Sequence, residues 1–212
     1  MCRLALTFFV ITMSMFIRVA SPAMISQPDI GKVVTFIFSA DEQGNLQVDS
    51  KSKNPIPYRT GFFVLVKNEN GGPRGYGYLV TDKHALKSPQ GTGFSKIFVR
   101  LNKLTGDAEF TPVDLIVNGQ SIVYTHPDST VDIAVIPVAP LESIHDFKTI
   151  PDDWLATKEL PGIGEGSDVF FVGLFTTYYG EHKNNPIFRF GRIAMIPEDR
   201  LQLQDKTDIP SV

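Results

Sequence analysis

Short apolar runs divided by turn residues are the feature that most restricts what this sequence can fold into. The runs are enriched in Val, Ile, Phe and Tyr, which suit the pleated surface of a strand better than a helix. Asn70, Gly71 and Gly72, and likewise Asn118 and Gly119, separate neighbouring runs as hairpin turns do, because Gly and Asn accept positive φ. The sequence therefore predicts an all-β fold of antiparallel strands. The predicted strands are residues 33–38, 61–67, 75–81, 96–101, 113–117, 121–124, 132–138, 168–174 and 187–196.

One helix and a two-lobed organisation are predicted from Pro and Gly. Residues 151–160 begin with Pro, carry two Asp in the first turn and are followed by Pro161, which indicates a short surface helix. Pro and Gly concentrate across residues 140–166, which we interpret as the connection between a first lobe, residues 24–139, and a second lobe, residues 167–212. The polar segment 178–185 is expected to be a mobile connection between strands, the alternative being a contact with a partner or substrate.

The first 23 residues have the pattern of a secretory signal peptide. Arg3 precedes an apolar run from Leu4 to Ile17, and small residues stand at Ser21 and Ala23. This run is too short to span about 30 Å of hydrocarbon as a helix. We expect a secreted or periplasmic protein with no stable membrane insertion after cleavage, the alternative being an uncleaved anchor. Cleavage would remove the sole cysteine at position 2, and with it any thiol nucleophile.

Charge and histidine spacing argue against two classes of function. The 20 Lys and Arg are balanced by 23 Asp and Glu, with a net charge of −3, so nucleic acid is not an expected partner. No His pairs with another at i,i+4 and no H-E-x-x-H segment is present. The sequence therefore predicts no metal and no cofactor.

His84 and Asp132 are the candidate catalytic residues. His84 follows a predicted strand at a turn, where a side chain can project from a rigid edge. Asp132 opens an otherwise apolar strand, and a carboxylate there needs a nearby donor, for which an imidazole N–H is suitable. The alternatives are a surface histidine and an acid that bonds backbone groups of residues 128–130.

An ordered set of segments resembles the trypsin-like (chymotrypsin superfamily) serine endopeptidases. The resemblance covers about residues 58–197, and His84 and Asp132 stand in the order and at nearly the spacing of that family's histidine and aspartate. The segments are TGFFV at 60–64, YLVT at 78–81 with His84, KIFVRLN at 96–102, HPD at 126–128, DIA at 132–134, GEGSDVFFVG at 164–173 and IFRFGRIA at 187–194.

The resemblance implies a double β-barrel, with the first barrel complete and the second incomplete. It implies that His84 is the general base, that Asp132 orients it, and that the substrate is a polypeptide. Ser143, Ser167 and Ser211 follow Asp132, but none lies in a G-x-S-G segment. We therefore expect the chain to lack its nucleophile and oxyanion loop and to be an inactive fragment.

Two other functions remain open. The first is a non-catalytic module that binds a peptide or a partner, and the second is a structural β domain in which His84 and Asp132 never meet. An incomplete second barrel would also leave unpaired strand edges, so self-association through residues 168–174 and 187–196 is expected.

Overall fold

The computed structural model describes residues 27–68, 75–138, 140–156, 162–175, 178–197, 201–202 and 208–209, and within them the protein is all-β. The segment predicted as a signal peptide and the turn at residues 70–72 lie outside the described residues. The strands are β1 Val34–Ser39, β2 Pro57–Val66, β3 Tyr76–Thr81, β4 Lys96–Asn102, β5 Ala108–Asp114, β6 Ile116–Val117, β7 Gln120–Ser121, β8 Tyr124–Thr125, β9 Ala134–Pro137, β10 Ile150–Pro151, β11 Asp168–Leu174, β12 Pro186–Arg192, β13 Leu201–Gln202 and β14 Asp208–Ile209.

One main sheet contains most of the strands. Its order is β5-β4-β1-β2-β3-β9-β8, and these neighbours are antiparallel. The short strand β10 joins β2 in parallel, which is an exception to the predicted antiparallel pairing. Among the described residues, β5 and β8 are the free edges, so the pairing is that of an open sheet.

The main sheet is strongly curled. In a flat sheet β5 and β8 would lie six strand spacings apart, about 29 Å. The chain joins them through Leu115 and Ile122, where the Ile122 N–H donates to the Leu115 carbonyl at 2.9 Å. The path from Asp114 across this bond to Tyr124 spans at most about 16 Å. The two edges must therefore approach each other around the core.

Strand β1 is buried on both faces because a different apolar cluster covers each. Ile37 lies in the main core with residues of β2, β3, β4, β5 and β9. Phe36 and Phe38 point the other way and pack edge-on against Tyr179, with ring centroids 6.3 and 5.8 Å away. The mostly apolar run predicted as a strand thus owes its pattern to two-sided burial.

The β11–β12 hairpin carries the second set of predicted strands. Residues 168–174 form β11 as predicted, whereas the strand predicted at 187–196 starts at Pro186 and ends at Arg192. Several of the hairpin's apolar side chains are solvent-exposed, with Phe171 at 71% and Phe190 at 69%. Self-association through this hairpin, like the division into two lobes, stays a prediction.

The helix predicted at residues 151–160 is wrong in its described part. Pro151 belongs to β10, and a 3₁₀-helix follows at Asp152–Trp154. The Asp152 carboxylate accepts the backbone N–H of Lys67, at 3.2 Å, and that of Asp153, at 3.0 Å. Pairing with β2 keeps Pro151 extended, and the Asp152 bonds accompany a 3₁₀-helix of three residues rather than an α-helix. Residues 157–160 lie outside the described residues.

The expectation of a mobile connection at residues 178–185 is also wrong. Asn184 is buried and donates to the Arg100 carbonyl at 2.6 Å, and its own N–H donates to the Asn102 side chain at 2.7 Å. Gly180 has φ +80° and lies where a Cβ would meet the Lys183 carbonyl oxygen at 2.3 Å, so this tight turn requires Gly. We call residues 178–185 the clasp loop, since it fastens onto β4.

The hairpin turn predicted at Asn118 and Gly119 is confirmed. Both residues have positive φ, 52° and 76°, and they join β6 to β7. Within the described residues, no helix has the length and apolar character that crossing a membrane requires.

Candidate active site

The end of the β3–β9 ladder positions the candidate residues. Thr81 pairs with Ala134 at the last register position, so His84 lies three residues beyond one strand and Asp132 two residues before the other. A 3₁₀-helix at Lys83–Leu86, here called the histidine turn, carries His84. Its Ala85 and Leu86 are buried and hold the turn against the sheet. The pairing of β3 with β9 thus brings both candidate side chains to one edge of the sheet.

The structure brings His84 and Asp132 into direct contact. One carboxylate oxygen of Asp132, Oδ2, makes a short hydrogen bond with the Nδ1 atom of His84. The other, Oδ1, accepts the backbone N–H of His84 at 3.1 Å. Because both oxygens are engaged, the carboxylate fixes the imidazole and its backbone together. The expectation of the structural-domain alternative that the two residues never meet is therefore wrong.

The electrostatics of Asp132 favour its charged form. Partial burial pushes the pKa of Asp132 upward, but hydrogen bonds from the side chain and backbone of His84, with a further backbone bond from Lys83, outweigh it. The pKa of Asp132 consequently lies below its usual value. A carboxylate that stays ionised in this position can hold a proton on Nδ1 and stabilise an imidazolium.

We expect this pair to make the protein sensitive to acid. Because the pKa of Asp132 is lower in the folded than in the unfolded chain, its stabilisation is present above the unfolded value of about 3.9 and is lost as pH falls through the folded value. Between about pH 6 and pH 2.5, Asp132→Asn should therefore lose less free energy of unfolding than the wild type, measured by urea denaturation. Asp107→Asn is the control for removing a surface carboxylate. Parallel curves for wild type and Asp132→Asn would contradict this account.

The second ring nitrogen of His84 is open to solvent. With Nδ1–H directed at Asp132, Nε2 is the proton acceptor of the neutral ring. The His84 side chain is 55% exposed, and Asp82 Oδ2 lies 3.9 Å from Nε2. The arrangement can therefore accept a proton from a group that approaches this face.

The other histidines differ from His84 in how their two ring nitrogens are bonded. His145 is buried, with Nε2 on Glu109 at 2.7 Å and Nδ1 accepting the Leu141 N–H at 3.1 Å, so both nitrogens are occupied. His182 makes a looser contact with Asp107, 3.5 Å between highly exposed side chains. His126 Nδ1 accepts a backbone N–H within its own loop. Among the described residues, His84 combines a firmly held nitrogen with an open one.

No described hydrogen bond joins a serine hydroxyl to His84. The Ser167 hydroxyl instead accepts the Gly164 N–H at 3.0 Å, within a turn that precedes β11. Ser143 is exposed in a turn after β9, and Ser211 lies outside the described residues. The described part of the chain also contains no cluster of three His, Cys, Asp or Glu suited to a metal ion.

Two residues around the pair were not predicted from the sequence. Asp128 Oδ1 accepts the N–H and hydroxyl of Thr130 at 2.9 and 2.7 Å, so Asp128 rather than Asp132 organises this backbone. The D-x-T spacing of an Asx turn could have indicated this. Lys83 donates to the carbonyls of His126 and Asp128, a contact with no local sequence signal.

Comparisons with known proteins give only short matches. No family model matches the chain, and no solved structure matches it. A ferredoxin of Saccharopolyspora erythraea is 45% identical over 49 residues, 23% of this chain and 46% of that protein. A ferredoxin of Mycolicibacterium smegmatis is 45% identical over 47 residues, 22% and 44% respectively. The chain spans less than half the length of these relatives, and the matches show no family for it.

Proposed function

We propose that this chain is the His- and Asp-bearing part of a trypsin-like serine endopeptidase. The observation that carries the proposal is the His84–Asp132 pair, in which Nδ1 is held by a carboxylate while Nε2 faces solvent. This is the geometry that a general base needs, because the acid fixes the tautomer and leaves Nε2 free to accept a proton.

The curled sheet supports the proposed fold. Strands β5, β4, β1, β2, β3 and β9 surround one apolar core, and the link from β5 to β8 draws the two edges together. We propose that this sheet is the first barrel and that the β11–β12 hairpin begins the second. His84 and Asp132 would then lie on the rim that faces the second barrel.

The proposed reaction is peptide hydrolysis through an acyl-enzyme. A serine hydroxyl attacks the peptide carbonyl carbon, His84 Nε2 takes the hydroxyl proton, and the same proton then goes to the leaving amine. Water, deprotonated by His84, then attacks the ester carbonyl carbon, the bond to the serine oxygen breaks, and that oxygen takes the proton from His84 as the acid product leaves. Because the 212 residues contain no G-x-S-G segment, we propose that the serine and the oxyanion N–H groups come from a chain segment beyond them.

A non-catalytic binding module is the second candidate. The observation that favours it is that the described serines make no contact with His84, so the open Nε2 and the neighbouring Asp82 would serve as polar contacts for a peptide or partner. Under either candidate function we propose that the protein is secreted or periplasmic, because the sequence predicts a signal peptide.

The ferredoxin matches do not lead to a cluster-binding proposal. Iron–sulfur clusters are held mainly by Cys thiolates, four for the common clusters. The 212-residue sequence has one cysteine, Cys2. The donor set does not fit such a cluster, and the proposed function uses none.

A fluorophosphonate probe, which reacts with activated serines, separates the two candidates. The gene is read to its natural stop codon, and both the whole product and the 212-residue chain are expressed and exposed to the probe. We expect the whole product to be labelled and the 212-residue chain to remain unlabelled. His84→Ala in the whole product should abolish labelling, while His182→Ala, which alters an exposed histidine, should not.

Two outcomes would count against the endopeptidase. Absence of a G-x-S-G segment near the position about 93 residues after Asp132 would leave the reaction without a nucleophile, and the binding module would take its place. Labelling of the 212-residue chain itself would show that the missing-serine part of the proposal is wrong.

A further inference from the structure

Beyond the end of the β3–β9 ladder, the two loops next to His84 and Asp132 have no strand pairing to fix their relative position. The histidine turn carries His84, and residues 126–131, here called the acid loop, lead into Asp132. An imidazole and a carboxylate on separate loops act together only if the loops keep their relative position, since misplacement of about 1 Å can cost about 10²-fold in rate.

The acid loop has a defined shape of its own. Asp128 Oδ1 accepts two bonds from Thr130, the Val131 N–H donates to the Asp128 carbonyl at 3.2 Å, and His126 N–H donates to the Ile133 carbonyl at 3.3 Å. These contacts fix the loop internally. They do not tie it to the histidine turn.

Lys83 provides that tie. Its Nζ donates to the carbonyl oxygens of His126 at 3.1 Å and Asp128 at 3.2 Å, while the residue itself directly precedes His84. Its backbone N–H also bonds Asp132. The ammonium has three donors, and hydrogen bonds from a charged donor are about twice as strong as neutral ones.

The partners of the Lys83 ammonium group suit a positioning role. Both hydrogen bonds from its side chain go to backbone carbonyls of the acid loop. Lys83 is half-buried and thus more constrained than a free surface lysine. The cation therefore fixes the loop without drawing Asp132 away from His84.

We propose that Lys83 is a positioning residue that holds the acid loop against the histidine turn and so keeps Asp132 on the Nδ1 atom of His84. The inference rests on the proposed role of His84 as a base, but the contact itself can be tested in the 212-residue chain. Loss of the Lys83 ammonium removes its two hydrogen bonds to the acid loop, so the contacts between Asp132 and His84 should break more often.

NMR hydrogen exchange tests this directly. In Lys83→Met, which keeps an unbranched side chain one atom shorter and removes the charge, we expect the His84 amide to exchange about tenfold faster and the downfield Nδ1 proton resonance to broaden or disappear. Amides of the ladder at Leu79 and Val80 should keep their wild-type exchange. Lys83→Arg should restore the His84 signals, because a guanidinium can also donate to both carbonyls.

Lys87→Met is the matched control, since Lys87 is exposed and lies just after the same turn. It should leave every one of these signals at the wild-type value. Unchanged His84 signals in Lys83→Met would overturn the proposal, and so would a uniform loss of protection, because Lys83 would then be a general structural residue. Failure of the endopeptidase proposal appears separately, as absence of probe labelling with the His84 signals unaffected.

Discussion

Arg100→Ala is expected to lower the free energy of unfolding by about 3 kcal/mol, because the guanidinium loses three charge-assisted hydrogen bonds to the clasp loop. Arg100 is 2% exposed, and its guanidinium donates to the Tyr179 carbonyl and, at 3.0 Å, to the Glu181 carbonyl. It also lies over the Tyr179 ring, 4.8 Å from the centroid. Burial lowers the pKa of Arg100, yet an arginine keeps its charge at neutral pH.

Without Arg100, the clasp loop would leave its carbonyls unpaired and uncover the outer cluster around Phe36 and Phe38. Urea denaturation measures the loss. Arg100→Lys should recover about half of it, since one ammonium reproduces the charge but not the planar fork. Arg192→Ala is the control, because Arg192 pairs with Asp168 at the surface, and should cost less than about 1 kcal/mol. A loss below about 1 kcal/mol for Arg100→Ala would show that the clasp loop is held by other contacts.

The strands that could be predicted from the sequence are those that appear in it as runs of apolar residues. Residues 168–174 match β11, and the two-sided burial of β1 is visible as an apolar run. Strand β5 was largely missed, since only its end lies within the predicted strand at 113–117. It carries Glu109, Pro112 and Asp114 at the free edge of the described pairing, where polar residues and Pro are common, and such residues conceal the strand signal.

The remaining errors arise from contacts between distant residues. The helix signals in residues 151–160 are local, but Pro151 pairs with β2 in parallel and Asp152 bonds the Lys67 N–H, both contacts with residues distant in sequence. The clasp loop appears polar and unconstrained in sequence because its partner, Arg100, lies 79 residues before Tyr179. Propensity within a short window cannot include such a contact.

The candidate site also has one part that the sequence could predict and another that it could not. The order and spacing of His84 and Asp132 in the sequence suffice to propose that they meet. The structure explains the contact, because the β3–β9 pairing brings the two strand ends together. The role of Lys83 could not be predicted, since it depends on where the carbonyls of residues 126 and 128 point. Whether the sheet closes into a barrel depends on the pairing of its edges, which a strand pattern does not determine.

The largest expected effect on activity is that of Asp132→Asn in the whole gene product that carries the proposed serine. Asn can donate to Nδ1 where Asp accepts from it, which leaves the proton on Nε2 and prevents His84 from accepting the serine proton. In the serine endopeptidase template such a change lowers kcat by about 10⁴-fold while leaving the geometry intact. Peptide hydrolysis measured at saturating substrate should show this loss with little change in KM.

The matched control is Glu109→Gln, which alters the carboxylate bonded to His145 in a pair that has no open nitrogen. If a carboxylate that is hydrogen-bonded to a histidine matters only for folding, both variants should lower activity to a comparable extent, because each would lower the fraction of folded protein. If the open Nε2 of His84 is the base, Asp132→Asn alone should lose about 10⁴-fold in kcat. A loss below about tenfold in Asp132→Asn, with the protein folded, would mean that Asp132 does not set the tautomer of a catalytic histidine.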